Sequence, residues 1–340
     1  MQRGFFDLED RYALLEKLGD PLPKLDEVVN WNGFRPLLRK LRKQKDPRKG
    51  GRPPFDAVLM LKVLVLQQLY NLSDDQTEYQ IRDRYSFCRF LGVSPEGRIP
   101  DAKTIWLYRE RLKEAGLMDK LFARLLAQID AAGFSARQGQ IVDASIVEVP
   151  RQRNTPEENQ QIKAGEEPEW PETKARQKDT QARWTFKYGR KHYGYKNHIN
   201  VDRAHKVVRG YTVSDAASHD GQYFEALLDE ENTGREVWGD AAYRSKRREA
   251  ALKEKGYRSR IQQQNQAHRK LSDAALEQNR RWSRDRLHVE HVFAAQEQMG
   301  GRLIRTIGLA RAQLQIGMKN FVYNIKRFAW LHGRSVPIGC

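Results

Sequence analysis

The chain has 340 residues, and its 61 Lys and Arg against 44 Asp and Glu give a formal net charge of +17 and a pI near 9.8. That length has room for about two domains, a hydrophobic fraction of 39% is enough to bury at least one core, and the cation excess points to a polyanion rather than a small neutral substrate. No apolar run is long enough to span a bilayer and no signal-peptide core follows Met1, so a soluble, cytoplasmic protein is expected; two cysteines, Cys88 and Cys340, exclude a disulfide framework or a four-thiolate zinc site.

In chain order, residues 1–130 read as helical. Apolar residues from Val58 to Tyr70 are too dense for an exposed helix, which predicts a buried central one. Before it lies a Gly- and Pro-punctuated basic arm from Arg39 to Arg52, containing Lys40, Arg42 and Lys43. After it, Asp101 is a plausible N-cap for a basic, aromatic helix carrying Lys103, Trp106 and Arg109. A short helix pair whose second member is basic is like a helix-turn-helix reader, and an ordinary solvated amphipathic helix is the alternative.

From Gln138 the pattern changes to strands over 140–149, 193–201 and 207–213. A helix is expected from Ser218 to Leu228, then a strand at Glu236–Asp240, a basic helix from Ser245, and a short strand at 257–261. This is an α/β order. Residues 150–180 are rich in Pro, Glu, Gln and Lys and almost free of aliphatics, which predicts a mobile surface excursion.

Three carboxylates stand out. Asp143 lies in Gln140 to Ser145, Asp240 in Val237 to Tyr243, and Glu290 in Arg286 to Phe293. Strand alternation puts Asp143 on one face with Ile141 and Ser145, and Glu148 on the other. Gly239, Ala241 and Ala242 leave space around Asp240. In the late helix Val289, Val292, Phe293 and Gln296 form the packed stripe, with Arg286 and Glu290 one turn apart beside it. Unpaired carboxylates among apolar neighbours are costly without a cation, and an oxygen-only donor set favours magnesium or manganese over zinc.

At these residues the chain resembles the DDE transposases of bacterial insertion sequences, most closely the insertion-sequence-five family within an insertion-sequence-four-like superfamily. Trp184 to Lys187, Gly194 to His198 and Tyr323 to Arg327 also look like family segments, and Gly51 to Arg111 resembles the helical domain that precedes catalysis. The resemblance implies a ribonuclease-H-like catalytic core (136–335), a mixed sheet flanked by helices, behind an all-helical DNA-binding or dimerising domain (1–130). It implies that Asp143, Asp240 and Glu290 hold two divalent metal ions. It further implies cleavage at the element's terminal inverted repeats, joining of the 3′-hydroxyl to target DNA, and a homodimer or higher assembly on double-stranded DNA. A nuclease of the same fold that does not join ends, and a domesticated DNA-binding protein without chemistry, are the alternatives.

The fuller family signature has Tyr where this chain has Ser283 and Lys where it has Glu297, so the DNA contacts of those two residues pass in expectation to Arg284, Arg302 or Arg305. Glu297 is also the competitor of Glu290 for the third ligand position. Expected phosphate contacts are Arg39, Lys40, Arg42, Lys43, Arg52, Lys103, Arg109, Lys187, Arg190, Lys191, Lys196, Arg247, Arg248, Arg286 and Arg302. His198 is an accessory candidate near the site or a structural histidine. Trp184, Trp238 and Trp282 are candidates for base stacking, with core packing the safer reading for Trp238.

Overall fold

The computed structural model describes residues 7–41, 53–187, 189–265 and 270–335. It divides into two compact bodies, residues 1–132 with 321–340, and residues 133–320.

The first body is helical: α1 (Asp7–Lys17), α2 (Leu22–Val28), α3 (Arg35–Leu38), α4 (Ala57–Leu69), α5 (Asp74–Asp83), α6 (Tyr85–Leu91), α7 (Ala102–Glu114) and α8 (Met118–Ala131). The predicted buried helix is α4, whose Met60, Leu61 and Val63 to Leu66 are all buried. Asp56 starts it by accepting from the Val58 and Leu59 amides, satisfying two donors that a helix N-terminus leaves open. Ser73 and Gln76 close a capping box on α5.

The second body begins with β1 (Gln140–Glu148), followed by α9 (Pro156–Ala164), α10 (Glu172–Ala175), β2 (Arg183–Lys187), β3 (Arg190–Asp202), β4 (Val208–Asp215), β5 (Glu236–Gly239), α11 (Lys246–Glu254), β6 (Arg258–Ile261) and α12 (Asp273–Gln298). The last helix, α13 (Leu309–Ser335), runs across the division, with its residues from Phe321 onward grouped with the first body. An excursion expected to be mobile over 150–180 therefore carries two helices. It is fastened by Asp179, which is buried and accepts from the Tyr195 hydroxyl at 2.7 and 2.9 Å and from the Gly308 amide at 3.0 Å.

β1 lies antiparallel to β3 and parallel to β5, β5 is parallel to β6, and β4 pairs antiparallel with the other edge of β3. β2 pairs only with Arg190–Gly194, the start of β3. The core order β4-β3-β1-β5-β6, with β3 alone running against the rest, is a ribonuclease-H-like sheet. One face packs Val142, Val237 and Ile261 against Phe224, Leu227, Tyr243, Leu252 and Tyr257. At the far end of β1, Val147, Val149, Tyr195 and Val213 join Ile304, Ala312 and Ile316 in a second cluster.

The helix expected over Ser218–Leu228 is instead two 3-10 turns, at 220–223 and 225–227. Arg248 is bonded across the break. Its guanidinium donates to the Gly221 carbonyl at 2.7 Å and to Glu225 at 2.9 Å, and lies 5.0 Å from the Phe224 ring centre. A side chain from α11 thus holds this segment in a path that regular helical bonding does not allow.

Gly139 sets how closely β1 approaches β5. Its φ is +90°, and an added Cβ would lie 2.5 Å from Trp238 Cζ3 and 2.6 Å from the Glu236 carbonyl oxygen. Gly139→Ala is therefore expected to destabilise the protein by about 2 kcal/mol or more through backbone strain and overpacking. A fall in thermal midpoint against wild type checks this, whereas Gly133→Ala, at a similar φ of +90° in open space, should cost less.

Candidate active site

β1 and β5 bring the two aspartates together. Their parallel register pairs Gln140 with Val237 and Ile141 with Trp238. Carried on by two residues, it sets Asp240 beside Asp143 where β5 ends. Asp143 is buried and accepts from the Ala144 amide at 2.8 Å. Asp240 caps the turn that follows β5, accepting from the Ala242 amide at 2.9 Å.

The third acid arrives on α12. Val289 and Val292 are buried, so the helix is held by its apolar stripe. Arg203 also binds Asp285 of α12 at 2.7 and 3.0 Å, and Gln262 donates to Ser283 at 2.5 Å. Toward its C-terminal end the buried amides of Asn197, Gln296 and Asn320 bond to one another. With α12 fixed at these points, Arg286 reaches β1: Nη1 donates to Asp143 Oδ2 at 2.7 Å and Nη2 to Glu290 Oε1 at 3.3 Å. One guanidinium thus joins an acid of the sheet to an acid of the helix.

Burial dominates the electrostatics of Asp143. Burial pushes the Asp143 carboxyl up to about 6, against the pull of Arg286; the charge of Asp240 adds to the rise and Lys187 opposes it. Tyr243, buried on the other face, has its phenol pushed well up by burial and by Asp143, Asp220 and Asp240, so it stays protonated and remains a donor.

The remaining expected residues fall into distinct settings. Glu290 is 52% exposed with Arg286 as partner, whereas Glu297 is 50% exposed and faces Arg302 at 3.6 Å. Only Glu290 of this pair is tied through Arg286 to Asp143. Ser283 spends its hydroxyl on the Asn279 carbonyl at 2.9 Å while accepting from Gln262. Register opposes His198 to Ala144, which puts it on the sheet face away from Asp143. There it is fully buried, bonded to Ser214 Oγ at 2.8 Å and stacked on Tyr223. Burial pushes its pKa down to about 4, so it is a neutral core histidine. Trp238 is buried under Arg203.

Among the expected phosphate contacts, Lys196 is buried, pairing with Asp220 and donating to the Ser218 carbonyl, both at 2.7 Å. Arg109 is held by a two-bond pair with Asp74 at 2.6 and 2.8 Å, and Arg248 by its contacts to the 220–225 turns. Arg39, Lys40, Lys103, Arg190, Lys191, Arg247, Arg284, Arg302 and Arg305 are exposed. Arg42, Lys43 and Arg52 lie outside the described residues. On the β2–β3 hairpin, Trp184 and the 68%-exposed Phe186 share a face with Lys191, and Arg151 lies 5.7 Å from the Trp184 ring centre. Sequence reading missed Asp220, taken there as a helix start; its distance in sequence from Lys196 and Tyr243 left no local signal.

Among the described residues, no three His, Cys, Asp or Glu side chains stand close enough to hold a metal ion as they lie. The donor chemistry nevertheless fits a hard divalent ion: a buried carboxylate with a raised pKa stands beside a second one, and all the acids offer oxygen alone. No helix among the described residues is long and apolar enough to cross a membrane.

Asp143 within β1 and Asp240 just after β5 thus lie side by side on a ribonuclease-H-like sheet, with Glu290 on the covering α12. Residues 134–325, more than half of the chain, match the family described as Transposase DDE domain, and residues 9–111 match Transposase domain (DUF772). The chain belongs to the DDE transposases, enzymes that act on DNA and use divalent metal ions. It also has a distant structural likeness to the piggyBac transposase synaptic complex with hairpin DNA. That likeness has 10% identity and a TM-score of 0.41 over 95% of this chain and 82% of that one.

The raised Asp143 pKa has a stability consequence. The folded protein holds this proton more tightly than the unfolded chain, so ionising Asp143 costs stability. The cost is absent below the ordinary value of 3.8, grows between there and about 6, and is complete above. In EDTA, Asp143→Asn should be more stable than wild type above pH 6, by about 2–3 kcal/mol at most. Thermal midpoints between pH 4 and 8 check this, with the difference shrinking toward pH 4.

Proposed function

We propose that this transposase serves an insertion sequence of the insertion-sequence-five family. It binds the element's terminal inverted repeats, nicks the DNA there, and joins the freed 3′-hydroxyl to target DNA. The observation that supports this reading best is Arg286, which ties Asp143 of β1 to Glu290 of α12 with Asp240 alongside.

Asp143, Asp240 and Glu290 are the residues that would hold two divalent ions, magnesium or manganese, in this proposal. Such ions, when bound, supply activation of the attacking oxygen and stabilisation of the leaving one. The chain's own contribution is placement. Burial in β1 fixes the Asp143 carboxylate, the amide of Ala242 orients Asp240, and the packed stripe of α12 presents Glu290. Arg286 and Lys187 bring positive charge to the acids, and the exposed cations Arg247, Arg302 and Arg305 are proposed to carry DNA phosphates.

Residues 1–130 are proposed to recognise the ends, with Lys103 and the exposed Trp106 of α7 as the base-reading and phosphate-contacting part. Two ends must be held together for joining, so a homodimer or higher assembly on DNA is proposed.

Incubating the protein with the DNA flanking its own gene, with and without magnesium, and mapping the cut ends tests the reading. Asp143→Ala and Asp240→Ala should abolish cleavage while binding of the ends survives; near wild-type cleavage by either would refute the assignment. Cleavage assays should also separate the two glutamates: Glu290→Gln is expected to lose several orders of magnitude in rate, and Glu297→Gln to keep most of it. The reverse ranking would move the site along α12.

A further inference from the structure

Arg286 holds a seat that it does not fill well. Two of its nitrogens reach Asp143 and Glu290, but its Nε is buried with no hydrogen-bond partner. A buried guanidinium N–H left open is costly, so this arrangement is not the best available to the side chain. The side chain is nevertheless 23% exposed, and Glu290 beside it is half-exposed. It can therefore turn from the acids toward solvent without leaving α12.

Charge decides what would make it turn. Asp143 requires a positive neighbour because it is buried next to Asp240. A divalent ion at the same oxygens meets that need better than a guanidinium, and the two cations repel each other at such range. A planar guanidinium displaced from a carboxylate is matched geometrically by the two oxygens of a phosphate.

We propose that Arg286 is a shared cation: it counters Asp143 and Glu290 in the metal-free protein and passes to a DNA phosphate when a divalent ion binds those acids. It is a positioning residue, and its consequence is that metal and DNA bind with positive coupling through one side chain. Linkage makes that coupling reciprocal. The inference rests on the reading of Asp143, Asp240 and Glu290 as metal ligands.

The test uses the full chain and binding readouts alone. Mn²⁺ affinity of the DNA-free protein is measured from the electron paramagnetic resonance signal of free Mn²⁺, for wild type, Arg286→Met, Arg286→Lys and Asp143→Asn. Affinity for a fluorescein-labelled duplex of the element's end is measured by anisotropy in EDTA and in Ca²⁺ at matched ionic strength. With its competitor removed, Arg286→Met should bind Mn²⁺ about tenfold more tightly than wild type, and Mn²⁺ should restore its lowered thermal midpoint. Ca²⁺ should tighten DNA binding several-fold in wild type and leave that of Arg286→Met unchanged. Arg286→Lys, which keeps the charge but loses the planar fork, should fall between the two and carries the test if the methionine variant does not fold. Equal or weaker Mn²⁺ binding by Arg286→Met, or a wild-type response of its DNA affinity to Ca²⁺, overturns the shared-cation proposal alone. If wild type binds no Mn²⁺, or Asp143→Asn binds it as well as wild type does, the metal-ligand reading falls first and this inference with it.

Discussion

The burial of one carboxylate governs much of this structure. Asp143 sits on the central strand of the sheet, where burial leaves its charge little water, and Asp240 lies just past the end of the next strand. A folded chain cannot keep two such acids together without positive charge close by. Arg286 supplies it from α12, and that helix must then lie where a guanidinium can reach β1. The Arg203–Asp285 pair, the Gln262–Ser283 bond and the buried amides of Asn197, Gln296 and Asn320 are the means by which it does. Each of them joins residues far apart in sequence.

Electrostatics also separates the two faces of the sheet. On the Asp143 face, acids are gathered and only partly compensated. On the opposite face, the acid Asp220 is matched by Lys196, and His198 is kept neutral by burial. That face is a buried core, with its Lys196–Asp220 pair and neutral His198 enclosed in it.

The basic surplus follows the same division. Lys196, Arg109, Arg203 and Arg248 are engaged by internal carboxylates or carbonyls and serve the fold. Exposed cations such as Arg247, Arg284 and Arg305 stay at the surface, where a polyanion can reach them. Net charge therefore indicates the kind of partner, while the partner's path over the protein depends on which cations the fold has already used.

Local patterns in the sequence determined a good deal. Dense apolar residues made α4 a buried helix, alternation made β1 a strand, small residues after Trp238 ended β5 at Gly239, one residue before Asp240, and an i, i+3, i+4 stripe gave α12 its buried side. Those patterns act over one or two turns or a few strand residues, so they are written in the chain itself. They also placed Asp143, Asp240 and Glu290 on their elements. What they could not decide was which long-range pairs close. His198 and Asp143 look alike as buried polar residues on neighbouring strands, and only the β1–β3 register sets them on opposite faces. Ser218–Leu228 has helical spacing, and long-range bonds from Lys196 of β3 and Arg248 of α11 accompany its break into turns. Lys196 and Arg286 are equally good phosphate ligands on paper. Tertiary structure alone commits one to Asp220 and the other to the acids, because an ion pair is fixed by distance in space, and that distance does not exist until the sheet and its covering helix have come together.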